Sequence, residues 1–127
     1  MKKILGLLFL VFAMSGCFPF GEQQRTIVGN YQLEQWEDGK TYYLCKKGDD
    51  SPGGGLIEGT VKSLGWNSNY IVAKRYSTYR GDPDGWMIID VKSGKISGPL
   101  NDADFGARSE LKSIQTFEPD AAWNKLK

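Results

Sequence analysis

Turn-forming residues interrupt this chain at short intervals, and this spacing limits it to short strands. From residue 31 to residue 100, runs rich in aromatic and β-branched side chains alternate with clusters of Gly, Asn, Asp and Pro. Such runs favour strands, and close turns favour antiparallel pairing. The runs are residues 31–36, 41–45, 56–66, 70–76, 86–91 and 95–97. We therefore expect an antiparallel β-meander.

Two short turns predict hairpins within the meander. Asp38-Gly39 separates the first two runs, and this dipeptide favours a type I′ turn, which needs positive φ at both central residues. Ser93-Gly94 separates the last two runs and predicts a second hairpin. The polar, glycine-rich residues 46–55 predict a loop between the second and third runs.

The periodicity changes to that of a helix after residue 100. Asn101 or Asp102 suits the N-cap position, and the apolar residues that follow recur at near-helical spacing. They are Ala103, Ala107, Leu111 and Ile114. A last short turn from Pro119 would carry Trp123 and Leu126. The expected fold class is mainly β with a C-terminal helix (α+β), an antiparallel β-meander sheet with one helix packed on it. A small barrel or a half-propeller-like sheet is the alternative.

The start of the chain has the layout of a secretory signal peptide. Lys2 and Lys3 form a basic head, and residues 4–14 are apolar with one glycine. A transmembrane helix needs about 20 residues, so this stretch is too short to span a bilayer. Ser15 and Gly16 supply small side chains, which let a peptidase approach the backbone.

The residues Met14-Ser15-Gly16-Cys17 resemble the lipobox of bacterial lipoproteins. The pattern is an apolar residue, usually Leu, then two small residues and an obligatory cysteine, so Met14 is a mild departure. The resemblance implies a diacylglyceryl thioether on Cys17, cleavage before it and acylation of its new amino group. Two or three acyl chains hold a protein firmly on a membrane. Phe18, where Asp would retain the protein at the inner membrane, implies the outer membrane in a two-membrane host. A secreted protein or an uncleaved anchor is the alternative.

Removal of residues 1–16 leaves 111 residues, enough for one domain. We expect residues 17–26 to form a lipidated tether and residues 27–127 a single β-rich domain. The remaining chain has 14 basic and 15 acidic residues, a net charge of −1. This balance does not favour nucleic acid as a partner.

The amino-acid composition lacks the residues that common catalytic sites need, so we do not expect an enzyme. The chain contains no histidine, which excludes Ser-His-Asp and Cys-His nucleophiles. With Cys17 lipidated, Cys45 stands alone and supports neither an intramolecular disulfide nor a structural zinc site. Cys45 is either a buried small apolar residue or a reactive thiol. We expect no catalytic residues, no cofactor and no metal.

Two groups of carboxylates leave alternatives open. The stretch Asp82-Pro83-Asp84-Gly85 suits either a calcium loop, joined in space by Asp49 and Asp50, or an ordinary turn with Pro at its second position. Asp90 is either the solvated end of a strand or a buried, paired carboxylate. The triple glycine 53–55 is not a phosphate loop, because no Gly-Lys-Ser/Thr follows it.

Aromatic residues are numerous for so small a domain, and one helix cannot cover them all. They include Trp36, Tyr42, Tyr43, Trp66, Tyr70, Tyr76, Tyr79 and Trp86. Exposed Tyr, Trp and Arg are enriched at protein interfaces. The candidate interface is the cationic, aromatic stretch Lys74, Arg75, Tyr76, Tyr79 and Arg80. Ordinary cross-strand aromatic packing is the alternative.

A longer resemblance covers residues 56–115. The stretch 86–100 (WMIIDVKSGKISGPL) followed by Asp104-Phe105, with Gly65-Trp66-Asn67 ahead of residues 70–74, is similar to a family of small uncharacterised bacterial lipoproteins with a domain of unknown function. The resemblance implies the fold and the location, and no activity.

These observations together predict a lipid-anchored protein of the bacterial cell envelope, on the outer membrane facing the periplasm in a two-membrane host. The expected function is a non-catalytic protein-binding module of the inhibitor, immunity or exclusion type. Its expected partners are the membrane, through the lipid on Cys17, and a protein. The alternatives are a structural or accessory envelope lipoprotein and a small-ligand-binding domain.

Overall fold

The chain forms two antiparallel sheets in the computed structural model, which describes residues 23–48, 56–77, 81 and 83–126. The small sheet has the order β1-β2-β3, and the large sheet has the order β7-β6-β5-β4-β8. The strands are β1 Gln23–Val28, β2 Tyr31–Gln35, β3 Tyr42–Lys46, β4 Thr60–Trp66, β5 Tyr70–Tyr76, β6 Gly85–Asp90, β7 Ile96–Leu100 and β8 Thr116–Phe117. The helices are α1 Asp102–Gly106 and α2 Pro119–Lys125, with a 3₁₀ turn at Ser109–Leu111.

The predicted fold class, mainly β and antiparallel with a short C-terminal helix, is confirmed. The strands divide into two sheets after β3, and the backbone N–H of Leu56 donates to the carbonyl of Leu44 at 2.6 Å where they meet. At one end of the small sheet, the Arg25 and Tyr42 side chains contact Trp123 of α2. At its other end, Gly29 lies against Val91, which follows β6.

The hairpin between β2 and β3 is confirmed, but its predicted turn type is wrong. Gly39 has a positive φ of 70°, whereas Asp38 does not share that conformation. The backbone N–H of Trp36 donates to the Thr41 carbonyl, so four residues form the loop. The Asp38 carboxylate accepts the N–H groups of Lys40 and Thr41, each at 2.8 Å. This Asx cap stabilises a wider loop than the type I′ turn.

The main core lies between the two sheets and is closed at one edge by α2. Its members are apolar side chains from strands of both sheets, from the turn before β4 and from α2. The buried residues are Ile27, Tyr31, Leu33, Tyr42, Leu44, Ile57, Val61, Leu64, Ile71, Ala73, Met87, Ile89, Ala122, Trp123 and Leu126. The small sheet therefore covers one face of the large sheet.

The other face of the large sheet is covered by α1 and the segment that follows it, as far as Ile114. Leu111 and Ile114 are buried there, as predicted, against Val72, Trp86 and Ile88.

The predicted helix over residues 103–114 is wrong beyond Gly106. Ala103 and Ala107 are exposed, and the chain reaches Leu111 through a 3₁₀ turn. Phe105 takes the sheet-facing role instead, because its ring stacks on Trp86 at a centroid distance of 4.1 Å. Gly106, a poor helix former, ends the helix there.

Candidate functional site

The sequence-predicted site residues divide into two groups. The lipobox residues Met14, Ser15, Gly16 and Cys17, the interface residues Tyr79 and Arg80, and the loop carboxylates Asp49, Asp50 and Asp82 lie outside the described residues. Lys74, Arg75 and Tyr76 lie on β5, where alternate side chains point to opposite faces of the large sheet.

Arg75 is buried, which removes it from the candidate interface. It is 5 % exposed and lies on the core side of β5. Its guanidinium donates to the carbonyl of Ile57 at 2.6 Å and to that of Pro83 at 2.8 Å. Its Nε–H has no hydrogen-bond partner within the described part of the chain. Arg75 therefore joins two loops to the sheet and offers no charge to a partner.

Lys74 and Trp86 of the large sheet form polar contacts with Asp102 at the start of α1. The Lys74 ammonium lies 3.2 Å from the Asp102 carboxylate, which also accepts the indole N–H of Trp86 at 2.8 Å. The Trp86 hydrogen bond, and then the hydrogen bond and charge of Lys74, lower the pKa of Asp102 below its ordinary value. Lys74 thus has a structural partner, and its side chain keeps 40 % exposure.

Tyr76 is the most exposed of the three predicted interface residues that the structure describes. It is 54 % exposed at the end of β5. The ammonium of Lys62, on the neighbouring strand β4, lies 5.4 Å from the centre of its ring, in cation–π range. A register shift between Val61 and Ser63 sets Lys62 in a bulge. We call Tyr76 and Lys62 the Tyr76 surface.

The other aromatic residues are mostly internal. Tyr42 and Trp86 are buried, and Trp66 is half-buried against Phe117. Trp36 is 44 % exposed and contacts Tyr43 edge to face at 6.3 Å. Cross-strand packing thus accounts for much of the aromatic excess.

Among the described residues, the carboxylates of the acidic motifs accept hydrogen bonds from backbone N–H groups. The Asp84 carboxylate accepts the N–H of Ser77 at 2.9 Å. The Asp90 carboxylate accepts the N–H groups of Ser93 and Lys92, and the Ser93 bond lowers the pKa of Asp90. Asp90 is thus the half-exposed end of a strand. No cluster of three His, Cys, Asp or Glu among the described residues could hold a metal ion.

Cys45 is half-buried in β3 rather than part of a core cluster. Its thiol lies 3.7 Å from the carbonyl of Gln32 on the neighbouring strand.

A cleft that sequence reasoning missed lies where the small sheet meets the β6–β7 turn. It has a volume of about 260 Å³ and is lined by residues 29–31, Lys46 and residues 91–94. The lining brings together one tyrosine, two lysines and two glycine-containing turns. No pattern marks it in the sequence, because its three segments are far apart in the chain.

The fold and these surfaces define, over the described residues, a small two-sheet antiparallel domain with an exposed aromatic surface and a polar cleft. The chain belongs to the family described as a protein of unknown function, DUF3997, whose model matches residues 28–118. No curated protein and no solved structure matches the chain. Within the described ranges, no helix has both the length and the apolar character needed to cross a bilayer.

Proposed function

We propose that this protein is a lipid-anchored module of the bacterial cell envelope that binds a protein partner without catalysis. The observation that carries the binding proposal is the exposure of Tyr76, 54 %, beside the ammonium of Lys62. Tyrosine contributes a large, rigid, amphipathic area to protein contacts at small entropic cost. A lysine at the ring adds a positive charge that suits an acidic or polar partner.

The anchor proposal rests on the lipobox resemblance and on where the fold begins. Gln23, the first residue of β1, follows Cys17 by six positions. Six residues span at most about 22 Å when fully extended, so a lipid on Cys17 would hold the domain near the membrane surface. Gln23 pairs with Gln35, beside the exposed Trp36, and the Tyr76 surface lies on the other sheet.

Replacement of the lipidated cysteine tests the anchor. We expect Cys17→Ser to leave the domain folded and to move it from the membrane fraction to the soluble fraction. The measurement is membrane fractionation, with intact mass of the native chain to detect acyl groups. Full retention of an uncleaved, unlipidated Cys17→Ser chain in the membrane would show that the apolar leader is the anchor and would overturn the lipoprotein proposal.

Truncation of the exposed tyrosine tests the binding surface. We expect Tyr76→Ala to reduce in-cell cross-linking to a stoichiometric partner at least tenfold, because truncation of a tyrosine that acts as the hot spot of an interface costs about 2 kcal/mol or more. The variant should lose only a few degrees in Tm, because Tyr76 lies outside the core. Trp36→Ala, an exposed aromatic on the other sheet, is the matched control and should leave cross-linking unchanged. Equal capture by both variants would exclude the Tyr76 surface, and a large fall in Tm would place its ring in the core.

A further inference from the structure

The cleft between the small sheet and the β6–β7 turn contains a hydrogen-bond donor, the Tyr31 hydroxyl, that has no partner among the described residues. Tyr31 is 4 % exposed, and its ring belongs to the main core. Its hydroxyl reaches the cleft, 3.7 Å from the position that a Cβ on Gly94 would occupy. It makes no hydrogen bond within the described part of the chain, and it is not among the fully enclosed polar atoms there that lack a partner, so it is open to the cleft. A group that enters the cleft would meet this O–H.

Two positive charges border the same space. The ammonium of Lys46 lies 5.9 Å from the centre of the Tyr31 ring, and Lys92 lines the facing turn. Neither lysine forms an ion pair with a described carboxylate. Asp90 is the acid nearest to Lys92 in the sequence; its carboxylate accepts backbone N–H groups of that turn, and the charge of Lys92 also contributes to lowering the pKa of Asp90. Lys46 and Lys92 together still exceed this one carboxylate by one positive charge, although the net charge of the whole chain is close to zero.

Two glycines line the cleft. Gly29 and Gly94 both have positive φ, 59° and 78°, a conformation that side-chain-bearing residues rarely adopt. A Cβ would lie 3.6 Å from Val91 at Gly29 and 3.7 Å from the Tyr31 hydroxyl at Gly94, both ordinary contact distances, so the backbone conformation rather than a close approach favours glycine here. A volume of about 260 Å³ admits the head of a small ligand and is too small to enclose a large one.

We propose that this cleft is a binding site for an oxyanion group of the phosphate class. In this site the Tyr31 hydroxyl donates to an oxygen of the ligand, and Lys46 and Lys92 supply its countercharge. Lysine binds phosphate as a point charge, so a pair of lysines suits a dianion. The proposal is independent of the anchor and of the Tyr76 surface.

The test is a titration of the full chain in maltoside micelles with inorganic phosphate at constant ionic strength, followed by NMR of the backbone amides. We expect saturable shifts confined to residues 29–31, 46 and 91–94. Tyr31→Phe removes one hydrogen bond to a charged group and should weaken phosphate about tenfold. The double variant Lys46→Gln, Lys92→Gln should abolish saturation. Lys40→Gln with Lys112→Gln changes the net charge equally at exposed positions elsewhere and should leave binding unchanged.

Other results of this titration would contradict the site, the role of Tyr31 or the class of ligand. Linear shifts, or shifts spread over all surface lysines, would reveal only a diffuse ionic atmosphere and would overturn the site. Equal affinity in Tyr31→Phe would exclude the hydroxyl as a donor. A parallel titration with succinate identifies the class of ligand, because tighter binding of succinate would replace phosphate by a dicarboxylate. The Lys46, Lys92 double variant decides the question if Tyr31→Phe does not fold.

Discussion

Trp123→Ala is expected to lower the free energy of unfolding by about 3–5 kcal/mol, the range for removal of a buried tryptophan. Trp123 is 5 % exposed and lies on α2, the helix that closes the main core. Its ring contacts Tyr42 at 5.8 Å and the Arg25 guanidinium at 4.3 Å. Arg25 also donates to the Trp123 carbonyl at 2.8 Å. A seven-residue helix is not stable alone, so loss of this ring also weakens α2.

Urea unfolding followed by far-ultraviolet circular dichroism measures this effect. The matched control is Trp36→Ala, because Trp36 is 44 % exposed and makes one edge-to-face contact, with Tyr43. It should cost about 1 kcal/mol or less. Equal effects of the two substitutions would contradict the packing of α2 against the small sheet.

Strands β2 to β7 were predictable because their signals are local, whereas β1, which includes residues 23–26 of the predicted tether, and β8 were not predicted. Aromatic and β-branched runs, with Asp38-Gly39 and Ser93-Gly94 between them, specify hairpins within a few residues of sequence. The type of the first turn depended on the Asp38 carboxylate, which caps two backbone N–H groups. The preference of Asp-Gly for a type I′ turn does not take account of these side-chain hydrogen bonds.

The division into two sheets and the pairing of β8 with β4 were not predictable, because both depend on contacts between distant residues. Gly65 shows the reason: a Cβ at this position would lie 2.6 Å from the carbonyl oxygen of Gln115. The structure uses the missing side chain for the close approach of β8 to β4. The cleft was missed for the same reason, because Tyr31, Lys46 and Lys92 meet only in the folded chain.

The candidate interface was predicted in part. Side chains alternate between the two faces of β5, so Lys74 and Tyr76 lie on one face and Arg75 on the other. The sequence does not show which face is buried, and this decides which of these residues are exposed. The core side of β5 carries Ile71 and Ala73, so Arg75 points inward with them. The exposure of Tyr76 agrees with the predicted surface, and that surface stays a prediction until a partner is found.

Arg75→Met is expected to lower the free energy of unfolding by about 2–4 kcal/mol, because two charge-assisted hydrogen bonds are lost and their acceptors remain. These acceptors are the carbonyls of Ile57 and Pro83, in the chain before β4 and before β6. Methionine fills a similar volume, so the cost comes from lost hydrogen bonds rather than from a cavity. Arg75→Lys should also be destabilising, because a single ammonium cannot reproduce the geometry of the guanidinium fork. Urea unfolding measures both variants.

Arg108→Met is the matched control for the buried arginine. Arg108 forms an ion pair with Glu110 at 2.7 Å, and both side chains are 40 % exposed, so its removal should cost no more than about 1 kcal/mol. The same variants also separate the two roles considered for Arg75. If Arg75→Met unfolds like the native chain but reduces partner cross-linking as Tyr76→Ala does, its guanidinium faces a partner and the buried position is wrong. If Arg75→Met is destabilised and Tyr76→Ala is not, Arg75 stabilises the fold, and the adjacent Tyr76 remains available for binding.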